Sequence, residues 1–193
     1  MDAPARMYGV VDVSPGGRRL ADVLRRRQGA AVSYNRDVRG STFDEMAFFR
    51  SIAGSGARAL LIGRRALVLL GLPVLTADYD FWIHIDDIER FNATAATFEL
   101  HPTHTPEDAR RRGRYVLEND EHVDVLVARS VPTLEGREVT FEQLWRDRRS
   151  ILLPGVPVAV PSIAGLILTK QIKSRPKDLE DIRLLRAISE GEE

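Results

Sequence analysis

The stretch from Leu61 to Ile83, LIGRRALVLLGLPVLTADYDFWI, decides how the chain folds. Its first residues close the apolar run ALLI at 59–62, which is too short for a helix and ends at Gly63. A strand is therefore expected there, turning at the glycine into a helix over 64–70 that stops at Gly71. DYDFWIHI at 78–85 combines aromatic and β-branched residues and is expected as a second strand. In an extended segment Asp78 and Asp80, two positions apart, project from the same face. Two like charges so close need a proton, a basic group or a metal to offset them, and paired carboxylate oxygens suit magnesium.

Downstream, 86–98 reads as an amphipathic helix with Ile88, Phe91 and Phe98 inward. The polar stretch 102–113, with PEDARRRG, is expected as a turn or charged excursion. RYVLEND and HVDVLVA at 114–128 form a hairpin pattern around Asn119, Asp120 and Glu121. In the second run Val123, Val125 and Val127 share one face, so Asp124 projects from the other with Leu126 and Ala128. A helix over 141–148 introduced by Thr140 and a strand VPVAV at 156–160 follow. Two closing helices start at Pro161 and Pro176 and run to about Ser174 and Ile188.

Upstream, Thr42 stands three residues before Glu45, a capping-box spacing, and Phe43, Met46, Phe49 and Ile52 form an apolar stripe ending at Gly54 and Gly56. The first forty residues carry eight arginines against four aspartates. They read as a mildly basic extension, 1–40, before a domain over 41–190. In it SPGG at 14–17 suggests a turn and 18–29 a short helix, either a solvated face or a nucleic-acid or phosphate contact.

Across all 193 residues Lys plus Arg equals Asp plus Glu at 28 each. That balance removes any global argument for a polyanionic partner and leaves room for a local basic patch. With 44% hydrophobic and 29% charged residues, the composition is that of a globular domain. The absence of cysteine excludes disulfides, thiolate chemistry and cysteine-ligated metals, and fits a reducing compartment. The opening MDAPARMYGVVDV has no sustained apolar stretch, so no secretory leader is expected and the expected location is cytoplasmic. The longest uncharged run, the 19 residues Ile151–Thr169, is broken by Pro154, Pro157 and Pro161 and reads as core rather than a membrane span, so no membrane partner is expected.

Three separated blocks, in order, carry a resemblance. Residues 61–83 with their glycine turn and D-x-D strand look like the signature segment of the minimal nucleotidyltransferases of the polymerase-beta superfamily. HVDVLV at 122–127 resembles that family's later strand with its third carboxylate. LILTKQIKSRPKDLEDIRLL at 166–185 resembles the closing helices of bacterial members related to abortive-infection and toxin-antitoxin transferases.

The resemblance implies an α/β fold of the α+β kind, a mixed sheet flanked by helices with a C-terminal helical pair. It implies a magnesium-dependent transfer of a nucleoside monophosphate from a nucleoside triphosphate such as ATP to an acceptor hydroxyl, with pyrophosphate leaving. Carried over by resemblance, Asp78, Asp80 and Asp124 are the catalytic, metal-holding carboxylates, for one or two magnesium ions. Gly63, Arg64, Arg65, Thr76, Lys170 and Asp178 are the nucleotide-binding candidates. Lys170 either snorkels to solvent or faces the cleft, and Lys177, Asp178 and Asp181 match the family's K-D-x-x-D pattern.

The implied acceptor is an RNA or tRNA end, reached by the arginines at 18–27 and 110–114, or a protein or small-molecule hydroxyl. Two departures keep an alternative open. Arg64 stands where the family commonly has a small residue, and Val74 where it has an arginine. They suit a catalytically degenerate binding module, such as a toxin-antitoxin regulatory subunit with a cognate partner. Trp82 and Tyr115 are base-stacking candidates if they border the cleft, and His84 and His122 share faces with the aspartates.

Overall fold

The computed structural model describes residues 43–190. The basic extension, its turn and helix, and Thr42 lie outside the described residues.

The apolar runs pair into one sheet. β1 (Ala59–Ile62), β2 (Tyr79–Ile83), β3 (His101–Pro102), β4 (Arg114–Glu118) and β5 (His122–Leu126) lie in the order β1-β2-β5-β4-β3. β2 and β5 are parallel and every other pair is antiparallel, so the sheet is mixed. Besides a single 3-10 turn at Ile85–Asp87 and the short helix after β1, six α-helices accompany it among the described residues. These are α1 (Glu45–Gly54), α3 (Ile88–Ala96), α4 (Pro106–Arg112), α5 (Phe141–Arg146), α6 (Ile163–Gln171) and α7 (Pro176–Glu190), with α2 at Gly63–Leu69. Two hairpins, β6 (Ser130–Pro132) with β7 (Glu138–Thr140) and β8 (Arg149–Leu153) with β9 (Val156–Val160), complete the described residues. The expected α/β architecture, with its mixed sheet and C-terminal helical pair α6–α7, is present.

Strand alternation sorts the side chains to two faces. Tyr79, Phe81 and Ile83 of β2, Val123 and Val125 of β5, and Tyr115 and Leu117 of β4 pack with Phe48, Phe49, Ile88 and Phe91 in the main core. Phe48 meets the rings of Phe81 and Phe98 edge-on, an arrangement that adds to their area burial. Trp82 and Leu60 face the other way, into a second cluster with Val139, Phe141, Leu144 and Leu168. That second layer covers only part of its face.

Several local readings need correction. At the start of α1 it is Asp44 that caps, its carboxylate accepting from the Ala47 amide at 2.9 Å. The supposed excursion at 102–113 contains α4. Thr105 caps it, Pro106 opens it, acids sit in its first turn and arginines in its last, and left-handed Gly113 ends it. α6 starts at Ile163 under a Ser162 cap rather than at Pro161. Trp82 and Tyr115 are buried in the two cores, so neither can stack a base. His84 is buried between Arg58, 2.7 Å from its Nδ1, and Glu142, 3.0 Å from its Nε2. Among the described residues no helix is long and apolar enough to cross a membrane.

Candidate functional site

Because β2 and β5 bury their odd-numbered residues, Asp80 and Asp124 both point to the face that the second layer leaves partly open. They are direct neighbours across the parallel pair, and Ile62 is the partner of Asp80 on the other side. The next residue, Gly63, has φ +66, and a Cβ built on it would fall 2.0 Å from the Asp80 Oδ2. Only glycine satisfies both the left-handed backbone and that contact. Burial pushes the Asp80 carboxyl up, the charge of Asp124 adds to the rise, and Lys170 opposes it. Asp78, expected to open the strand, lies immediately before β2, where its amide donates to the Thr76 hydroxyl at 3.3 Å.

Gly63, Arg64, Thr76, Asp78, Asp80, Asp124, Lys170 and Asp178 line a single cavity of about 460 Å³. Arg65 stands apart from it. Its guanidinium lies over the Tyr79 ring, 4.6 Å from the centroid, and 3.3 Å from Glu45, while its buried Nε has no partner. Arg64 and Arg65 are about 100° apart around the helix, so one turns to the cavity and the other to α1.

The opposite wall comes from the C-terminal pair. Lys170, buried on α6, donates to the Asp181 Oδ2 at 2.7 Å and lies 3.8 Å from Asp178. Asp181 is fully buried and also accepts from the Arg64 Nε at 3.1 Å, so one carboxylate of α7 holds both cations. Glu180 adds a contact to Arg64 at 3.5 Å. Burial alone would raise the Asp178 carboxyl, but bonds from the Arg175 Nε at 2.8 Å and its amide at 3.0 Å hold it below the usual aspartate range.

Among the described residues no group of three or more His, Asp or Glu side chains is arranged to hold a metal ion. Asp80 and Asp124 are direct neighbours across β2 and β5, and Asp78, which lines the same cavity, adds its charge to the rise at Asp80. The cavity also gains Lys173 and Arg175, which the sequence reading left out of its site, and it includes Arg112, one of the arginines at 110–114 expected to reach the acceptor. For Lys173 and Arg175 the signal was the density of cations in KQIKSRPK at 170–177, which only the turn between α6 and α7 brings to the cavity.

No family model and no curated protein matches the chain. Solved structures do. The antibiotic-resistance factor ANT(2'')-Ia in solution superposes with a TM-score of 0.52 at 14% identity, over 72% of this chain and 81% of that one. A Thermotoga maritima protein described as a nucleotidyltransferase gives 0.51 at 14%, over 71% and 86%. ANT(2'')-Ia in complex with adenylyl-2''-tobramycin gives 0.50 at 15%, over 72% and 83%. The chain has a nucleotidyltransferase-like fold. At such identities the likeness is one of fold, and the role of each residue in this nucleotidyltransferase-like domain rests on the cavity itself.

Proposed function

We propose that the chain moves a nucleoside monophosphate from a nucleoside triphosphate to an acceptor hydroxyl, releasing pyrophosphate. The observation that carries this is the Asp80–Asp124 pair on the uncovered sheet face, seated against Gly63 in a cavity walled by cations.

The donor set suits magnesium. It consists of oxygens alone, one carboxylate is pushed up by burial and by its neighbour's charge, and magnesium is commonly held by one or two carboxylates plus substrate phosphates. Asp80 and Asp124 would hold the metal, with Asp78 at the cavity edge. Bound there, it would offset charge at the transferring phosphorus and lower the proton affinity of the acceptor oxygen. Lys170, aimed by Asp181, and Arg64 face the triphosphate, and Gly63 lets it come close to the backbone. Thr76 borders the same space, and Asp178 keeps Arg175 at the wall. Asp124, the more exposed carboxylate of the pair, takes the proton as the acceptor oxygen bonds to phosphorus and the bond to pyrophosphate breaks.

Incubation with each labelled nucleoside triphosphate, magnesium and a cellular extract should label an acceptor and release pyrophosphate. Asp80→Asn should lower the rate on the order of 100-fold or more. Calorimetry showing no magnesium-dependent nucleotide binding would remove the reading.

A second reading, a degenerate transferase-fold module working with a cognate partner such as an antitoxin, is favoured by two features. Arg64 is already engaged by Asp181 and Glu180, and Val74 is buried in the core. A stoichiometric partner in native purifications, with nucleotide bound but never transferred, would select it.

A further inference from the structure

The wall across the carboxylate pair from Gly63 is made by β4, and its charge points to the acceptor. We propose that the acceptor carries a phosphate beside the hydroxyl it offers, and that Arg112 and Arg114 bind that phosphate. This rests on the transfer reading above.

In the strand order β1-β2-β5-β4, Gly63 and Arg64 follow β1, Asp80 and Asp124 hold the centre, and Arg114 opens β4 on the far side. An in-line displacement places donor and acceptor on opposite sides of the phosphorus. With the triphosphate at the Gly63 side, the acceptor enters along β4. Tyr115 and Leu117 are buried in the main core, so Arg114 shares the open face with Asp124, and both line the cavity with Arg112.

Of the four arginines at 110, 111, 112 and 114, the two that face elsewhere are already paired. Arg110 is 2.6 Å from Glu89, and Arg111 is held by Asp108. Arg112 and Arg114 have no carboxylate partner among the described residues, and both are exposed at the cavity. Between them Gly113, at φ +74, turns helix into strand and is pinned by Val127 and Ala128, whose amides donate to its carbonyl at 2.8 and 3.0 Å. Two guanidinium forks on so fixed a corner suit a phosphate, and would repel a polycationic acceptor.

The phosphate has two sources, a nucleic-acid terminus or a free mononucleotide. Four probes separate them: a single-stranded RNA oligonucleotide with a free 3'-hydroxyl, adenosine 5'-monophosphate, adenosine, and a polyamine sugar. Each is offered with labelled donor and magnesium. Label is expected on the oligonucleotide, the monophosphate or both, and not on adenosine or the polyamine. Replacing both arginines by alanine (R112A/R114A) should cut transfer about 100-fold, roughly tenfold for each lost charged contact. The dissociation constant of the magnesium nucleotide should stay within about threefold, and the double lysine variant should recover part of the transfer.

Label on adenosine or the polyamine, or on neither phosphate-bearing probe, overturns the acceptor assignment while measured donor binding keeps the transfer reading standing. Loss of donor binding in R112A/R114A equal to the loss of transfer overturns it too, by moving these arginines to the donor side. Failure of the unaltered protein to bind magnesium nucleotide at all overturns both.

Discussion

At Gly63 and Asp80 the physical demands of the site meet at single atoms. A methyl group on Gly63 would have to occupy the space of the Asp80 carboxylate while the backbone keeps φ +66. Gly63→Ala is therefore expected to lose about 2 kcal/mol or more of stability in urea titrations. It should also weaken magnesium-nucleotide binding, because the carboxylate must move. Asp80 itself stores an opposite effect. Its folded value is raised by burial and by Asp124, so the folded chain holds a proton there more readily than the unfolded one. Stability from this group is highest below the unfolded aspartate value and falls as pH rises through the folded one. Asp80→Asn should then melt higher than the unaltered protein at pH 7, each kcal/mol being worth about 2–4 °C in a chain of this size. The gain should shrink as pH falls toward about 4, where the unaltered side chain is increasingly protonated. A variant that loses activity and gains stability is the sign of a carboxylate kept for a ligand.

Among the elements, α6 and α7 are clasped to α2 through one buried carboxylate. Removing Asp181 leaves Lys170 without its 2.7 Å partner and Arg64 with only Glu180, so Asp181→Ala should cost about 3–5 kcal/mol. Pairing it with Lys170→Met should recover much of that loss, giving a coupling of about 1–3 kcal/mol in a double-mutant cycle followed by denaturation. This clasp was only half legible in the sequence. The K-D-x-x-D spacing marked Asp178 and Asp181 together, yet which of them meets Lys170 depends on the angle between two helices, and no spacing encodes that angle. The helix phase hid the fate of Arg65 in the same way. The hairpin at 114–126 and the turn at Gly63 were plain, because alternating valines and a bounded apolar run signal strands directly. α4 was missed because it buries little beyond Ala109 and so shows no apolar stripe, although its cap, its proline and its closing glycine were all in view. β8 was hidden because it straddles the junction between the charged end of the helix expected over 141–148 and the uncharged run from Ile151, so no single apolar pattern marks it.

For the molecule as a whole, the two-faced sheet explains why a cleft exists. One face is closed by the main core, while the other is closed at Trp82 and left open at Asp80 and Asp124, where α6 and α7 supply the facing wall. A ligand that joins carboxylates on the sheet to cations on the helical pair binds the folded chain and has no counterpart in the unfolded one. At a hundred times its dissociation constant it should add about 2.7 kcal/mol, or about 5–10 °C in melting temperature. Magnesium and nucleotide should be needed together, since the metal compensates the carboxylates and the phosphates compensate Lys170 and its neighbours. Either one alone, or both with a chelator, should give a smaller shift. In the double variant D80N/D124N the metal-dependent part of the rise should vanish. A full rise in that variant would mean that nucleotide is held by the cationic wall alone. The sheet would then serve as a platform for binding, and the degenerate-module reading would displace transfer.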